Sequence, residues 1–213
     1  MLRAMEKKDI IWPGPFVDPF RGCKTILALG AARASRLNKL CNATGARGVG
    51  IELSSERVRL KRSCGLTTLI CGDACELIMG YKDNSFDGIA MFDLLHCLTK
   101  EQAIGLVQET KRVAKKVVVT SLPVGHVQER TAVTKAGHEY PGAEEIAQKS
   151  FWTREEAFEL WGEGLESFYY DPDHIERAHR KKGKEYVDWL RETQYHGRFA
   201  VMTLAVWRKG ERR

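Results

Sequence analysis

Apolar residues along this chain follow two rhythms that alternate. TILALG (25–30) is a short apolar run ending in glycine, and ARASRLNKLCNA (32–43) then places Ala34, Leu37, Leu40 and Cys41 on one helical face, which predicts a strand followed by a helix. The unit repeats as RGVGIEL (47–53) with SSERVRLKRSCG (54–65), where Ser54 is the expected helix cap, and as LTTLICGD (66–73) with a short helical piece over 74–79. FDGIAMFDLL (86–95) supplies a fourth strand. EQAIGLVQETKRVA (101–114) carries Ala103, Val107, Thr110 and Val113 at helical spacing, and KKVVVTSLP (115–123) reads as a fifth buried strand closed by Pro123. Strands alternating with helices imply an α/β fold with a parallel sheet covered on both faces.

Beyond Pro123 the rhythm changes. Residues 124–150 show no clear period and read as a long loop, a feature usually either functional or disordered. Thr153 and Glu156 form a capping box that opens a helix bearing Ala157, Phe158, Leu160 and Trp161, which should stop at Gly162 or Gly164. LESFYY (165–170) predicts a sixth strand, and Asp171-Pro172 begins a polar, basic helical stretch. RFAVMTLAVWR (198–208) is almost continuously apolar, so the last strand should be covered on both faces and lie inside the sheet. Before the first unit, Trp12, Pro13, Pro15, Phe16, Pro19 and Phe20 suit an extended lead-in rather than a helix. The expected organisation is a lead-in over 1–22, able to act as a lid, and one domain over 23–213 with an insert at 171–197.

Composition narrows the class. A chain of 213 residues with 43% hydrophobic content supports one well-buried core. No window reaches the eighteen or so apolar residues of a membrane span, and the start lacks the apolar core of a signal peptide, so a soluble, cytoplasmic protein without membrane contact is expected. Six cysteines without a Cys-x-x-Cys pair read as reduced thiols, and Cys71 with Cys75, the one close pair, is too few ligands for a metal site. Much of the formal charge of +6 lies in His174–Lys184 and Arg208–Arg213. Arg177, Arg180, Lys181, Lys182 and Lys184 read as a solvated helix face that could also meet phosphate or RNA.

Ligands of open α/β sheets bind at the carboxyl ends of the strands, and the residues there form a consistent set. Gly30 ends the first strand, where a small residue lets the backbone approach a ligand. Glu52 ends the second, at the spacing from which an acid can accept hydrogen bonds from ribose hydroxyls. Gly72-Asp73-Ala74 ends the third, and Asp73 could accept from an exocyclic amine such as that of adenine. Phe92-Asp93 ends the fourth with an aromatic face and a further acid.

On these residues the chain resembles the class I S-adenosylmethionine-dependent methyltransferases, especially those acting on small molecules, over about Thr25–Pro123 and more loosely to Trp152. The resemblance implies a doubly wound, Rossmann-like, seven-stranded, mostly parallel sheet with an antiparallel C-terminal strand. It implies S-adenosylmethionine as cofactor and S-adenosylhomocysteine as product. By the same resemblance Gly30 and Ala31 form the cofactor loop, Glu52 with Leu53 holds the ribose, Asp73-Ala74 reads adenine, and Phe92 and Asp93 lie toward the methionine side. Asp93-Leu94-Leu95-His96-Cys97-Leu98 is similar to the Asp-x-x-Glu-His-Leu sequence of many members, and Ser150-Phe151-Trp152-Thr153 also has counterparts.

The departures are specific. The family's acidic-x-Gly-x-Gly-x-Gly loop reads Ala28-Leu29-Gly30-Ala31-Ala32-Arg33-Ala34, so only the first glycine stands and the acid is absent. One charged hydrogen bond lost without replacement would weaken binding by about 1.5–3 kcal/mol, roughly ten- to a hundredfold. His96 is a candidate general base or substrate contact, Trp12 and His126 (with Gln128 and Glu129) are candidate substrate contacts, and Trp152, Trp161 and Trp189 read as core or interface residues. Methyl transfer to a small molecule is the expected function. The alternative is a catalytically weak or inactive binding module that contacts protein or RNA. A nicotinamide-dependent oxidoreductase fits poorly, because its Gly-x-Gly-x-x-Gly would fall on Gly30, Ala32 and Ser35.

Overall fold

The structure, a computed structural model, describes residues 6–7, 14–61, 65–124, 149–171, 184 and 201–210. In chain order its elements are β1 (Glu6–Lys7), α1 (Gly14–Val17), β2 (Thr25–Leu29), α2 (Ser35–Thr44), β3 (Arg47–Glu52), α3 (Ser55–Arg59), β4 (Thr67–Cys71) and α4 (Ala74–Leu77). There follow β5 (Phe86–Phe92), α5 (Lys100–Val113), β6 (Ala114–Val124), α6 (Arg154–Glu159), β7 (Leu165–Asp171) and β8 (Val201–Arg208). One sheet runs in the order β1-β7-β8-β6-β5-β2-β3-β4. The seven-stranded sheet expected from the sequence is present, and the two-residue β1 adds to it beside β7. β8 is antiparallel to both β6 and β7, and every other pairing is parallel.

Alternation along each strand sorts side chains onto two cores. Leu27 and Leu29 of β2, Ile89 and Met91 of β5 and Val118 of β6 face Ala103, Leu106 and Val107 of α5 together with Trp152 and Trp161. Ile26 and Ala28, Ala90, Val117 and Val119 face Leu37, Leu40 and Cys41 of α2 and Phe16, Val17 and Phe20 of the lead-in. Helices therefore cover both faces, as the near-continuous apolar runs of the central strands require. Gly88 admits Phe20, since a Cβ there would stand 2.6 Å from the phenyl ring.

Local sequence explains the element ends. The Ser54 hydroxyl accepts from the Arg57 amide to start α3, and Thr153 with Glu156 forms the expected capping box before α6. Thr99 and Gln102 form a second box, before α5. The Lys209 ammonium donates to the carbonyls of Lys111, Arg112 and Ala114, where α5 gives way to β6, and so satisfies groups a helix C-terminus leaves open.

Three expectations change. The lead-in is not extended over 14–20: α1 and a 3-10 turn (Asp18–Phe20) form there, because Pro15 and Pro19 sit in first turns, where the missing N–H has no helical partner to lose. Pro123 does not close β6 but pairs with Met202 inside it. That is tolerated because pairing with β5 ends at Ser121, leaving one side of the strand open at Pro123. The helix after β2 begins at Ser35 rather than at Ala32, since Ala32 and Ala34 are left-handed, with φ of 49° and 61°. Most of the insert at 171–197, including Arg177, Arg180, Lys181, Lys182 and Trp189, lies outside the described residues, as does the loop over 125–148.

Candidate functional site

Strand order reverses about β2, whose neighbours are β5 on one side and β3 on the other, so the loops leaving their carboxyl ends diverge and open a crevice. A cavity of about 480 Å³ fills it. Its lining brings together Gly30 and Ala31 after β2, Glu52 and Leu53 after β3, Asp73 and Ala74 after β4, and Phe92, Asp93 and His96 after β5. Trp12 and His126 lie outside the described residues.

The loop after β2 keeps the backbone course of a glycine loop without the glycines. Gly30 has a φ of 66°, and a Cβ on it would stand 3.0 Å from Leu94 Cδ1. Ala32 and Ala34, at the places where the resembling family has its second and third glycines, also take positive φ. A left-handed alanine costs about 1–2 kcal/mol, so the surroundings must hold it. They do so through β3: the Ala31 amide donates to the Ile51 carbonyl at 2.9 Å and the Ala32 amide to Glu52 Oε2 at 2.7 Å.

Glu52 is buried (4% exposed), with Oε1 accepting from the Ser54 amide at 3.1 Å and facing Arg57 Nη1 at 3.8 Å. Its carboxylate thus links the loop, the start of α3 and the cavity. Asp73 caps α4 by accepting from the Cys75 amide at 2.7 Å while lining the cavity. Burial, followed by the charge and hydrogen bond of Asp73, pushes the Cys75 thiol up to about 11.

On the opposite wall Phe92 meets Phe16 edge-to-face at 5.3 Å and lies under the Arg36 guanidinium, 5.9 Å from the ring centre. Asp93 is left-handed, with a φ of 57°. Its Oδ2 accepts from Arg36 Nη1 at 2.8 Å and its Oδ1 from the Ser121 hydroxyl at 2.9 Å. Burial alone would raise this carboxyl, but Arg36, His96 and the hydrogen bonds from Arg36 and Ser121 outweigh it and hold it at about 2. His96 is buried, and its carbonyl accepts from the amides of Lys149 and Ser150.

Sequence reasoning missed Arg36, Arg57, Ser121 and Lys149. Arg36 carried a usable signal: it lies in the first turn of α2, where the helix dipole disfavours a cation, so a compensating anion was to be sought.

The family model of the methionine biosynthesis protein MetW matches residues 18–158, a span that contains every described residue lining the cavity, from Ala28 to Lys149. The chain belongs to the MetW family. A search of curated proteins finds no match. Among solved structures, a methyltransferase dependent on S-adenosylmethionine from Archaeoglobus fulgidus is 15% identical with a TM-score of 0.58, covering 91% of this chain and 90% of its own. The Haemonchus contortus phosphoethanolamine N-methyltransferase 2, solved with phosphomonomethylethanolamine and S-adenosylhomocysteine, is 16% identical with a TM-score of 0.62 over 92% of this chain and 51% of its own. The [4+2]-cyclase SpnF is 14% identical with a TM-score of 0.63, covering 90% and 78%. This member of the MetW family therefore has the class I S-adenosylmethionine-dependent methyltransferase fold, a scaffold that also carries a cyclase. No helix among the described residues is long and apolar enough to cross a membrane.

Proposed function

We propose that the chain is an S-adenosylmethionine-dependent methyltransferase acting on a small-molecule acceptor in the cytoplasm. The observation that carries this reading is that four strand ends bring Glu52, Asp73, Asp93 and the left-handed loop at Gly30 around one cavity. The residues fit such a ligand. The cavity volume of about 480 Å³ lies within the range of small-molecule sites. Glu52 and Asp73 are acceptors suited to hydroxyl and amine donors. The methyl groups of Ala32 and Ala34 leave the loop on its left-handed course and the cavity open.

In this reading Glu52 and Leu53 hold the ribose, Asp73 and Ala74 meet the adenine, Gly30 and Ala31 bring backbone close to the ligand, and Phe92 and Asp93 border the methionine end. When bound, the cofactor supplies a methyl group already activated on a sulfonium. The protein's contribution is then positioning and exclusion of water, and a base is required only for a nucleophile that must lose its proton early. His96, in the same wall as Asp93, is the group we assign to that task.

Isothermal titration calorimetry with S-adenosylmethionine, S-adenosylhomocysteine and NADH tests the assignment. Saturable heat with the first two and none with NADH is expected. Absence of heat with both adenosyl compounds at millimolar concentration would overturn it and favour a binding module.

A further inference from the structure

The acid that the resembling family carries at the end of its first strand is alanine here, and Ala28 is packed among Ile26, Leu37 and Ala90. Near it, the same cavity wall holds an ion pair that does not fully satisfy itself. Arg36 Nη1 donates to Asp93 Oδ2 at 2.8 Å, and this is the one hydrogen bond of the guanidinium among the described residues. A guanidinium has five N–H donors, so four remain for a ligand. Arg36 is half exposed, and the Phe92 ring beneath it limits where the planar group can lie. Asp93 accepts one hydrogen bond on each oxygen, from Arg36 and from Ser121, and each oxygen keeps a further lone pair. The Ser121 hydroxyl also accepts from the Asp93 amide at 3.2 Å, which fixes the backbone and side chain of the left-handed Asp93 together.

We infer that Arg36 and Asp93 together bind the zwitterionic amino-acid end of the cofactor, Arg36 taking its carboxylate and Asp93 its ammonium, in place of the acid absent at position 28. This rests on the function proposed above. The charges decide the pairing. A zwitterion added to an existing ion pair gives a row of ammonium, carboxylate, guanidinium and carboxylate in which every neighbour is of opposite sign, and the amino-acid end itself adds no net charge. A lone carboxylate at position 28 could serve only the ammonium. The Arg–Asp pair serves both ends, and the guanidinium can meet a carboxylate with two parallel donors. The position of Arg36 at the positive end of α2, unfavourable for a cation by itself, is offset by Asp93 and further by a ligand carboxylate.

Calorimetry on the full chain with three probes separates this inference from the function it rests on. The probes are S-adenosylmethionine, decarboxylated S-adenosylmethionine, which lacks only the carboxylate, and 5′-methylthioadenosine, which lacks the amino-acid end. The wild type should bind S-adenosylmethionine at least about tenfold tighter than either of the others. In Arg36→Gln the preference over the decarboxylated probe should fall to about one, while 5′-methylthioadenosine binds as in the wild type. That unchanged arm reports that the variant is folded. Equal binding of all three probes by the wild type overturns the clamp and leaves the adenosine site intact, a result that does not depend on any variant. A preference that persists in Arg36→Gln overturns it as well. If no probe binds, the proposed function falls and the clamp with it.

Discussion

Strand β5 carries an acid at each of its two ends, and the two acids are used differently. Asp87, at the amino end, is 8% exposed and accepts from the Lys24 amide at 2.7 Å, with Lys116 Nζ at 3.4 Å. Around it Phe20 fills the space Gly88 leaves, and Lys116 also donates to the Gly22 carbonyl. Asp93, at the carboxyl end, sits on a left-handed backbone against an arginine with donors to spare. At one end charges and packing close on themselves, while at the other they stop short of closure and leave a cavity. A parallel sheet with diverging loops builds this asymmetry, since only the carboxyl ends around β2 separate.

The contrast can be broken at four places. The largest effect should come from Phe20→Ala, which removes a fully buried ring from the closed end: a loss of about 3–5 kcal/mol in chemical denaturation, with the affinity of the folded fraction for S-adenosylhomocysteine unchanged. A drop in affinity would show that the two ends are coupled. Asp87→Ala strands the Lys24 amide and should cost about 1–3 kcal/mol, again without effect on ligand binding by calorimetry.

Asp93→Asn should cost about 1–2 kcal/mol at neutral pH, a value reduced for the solvent that screens the half-exposed Arg36. Because the folded carboxyl is held at about 2, below the usual aspartate value of about 3.9, its contribution is present above pH about 4 and is lost as pH falls toward about 2. Denaturation midpoints should thus drop over that window in the wild type more steeply than in the variant. Unlike Asp87→Ala, this change should also weaken S-adenosylmethionine more than 5′-methylthioadenosine. The smallest effect is a gain. Ala32→Gly relieves a left-handed alanine on the exposed loop and should stabilise the protein by about 0.5–1 kcal/mol, after the added freedom of glycine in the unfolded chain is set against the relief. A loss of stability would show that the alanine methyl is packed in a way that outweighs its strain.

Much of this site was legible in the chain itself. Gly30, Glu52, Asp73 and Asp93 were found because each directly follows an apolar run, and that position alone sends them to one rim of a parallel sheet. Arg36 and Ser121 were not, because their roles depend on contacts between elements far apart in sequence. Ser121 reaches Asp93 only because β6 lies in register beside β5, with Phe92 opposite Ser121. The loop shows the same division. Only the first of the three glycines stands in the sequence, and in the fold Ala32 and Ala34 nevertheless take the left-handed course.

What the sequence determined alone was periodicity and punctuation: which segments are strands and helices, that the last strand lies inside the sheet, and which acids follow strand ends. These are local properties, set by side-chain spacing and by groups within four residues of one another. The tertiary structure decided whether those acids are engaged and by what. It put the Glu52 carboxylate on the Ala32 amide and the Arg36 guanidinium on Asp93, because hydrogen-bond partners across a fold are chosen by how whole elements pack and not by distance along the chain.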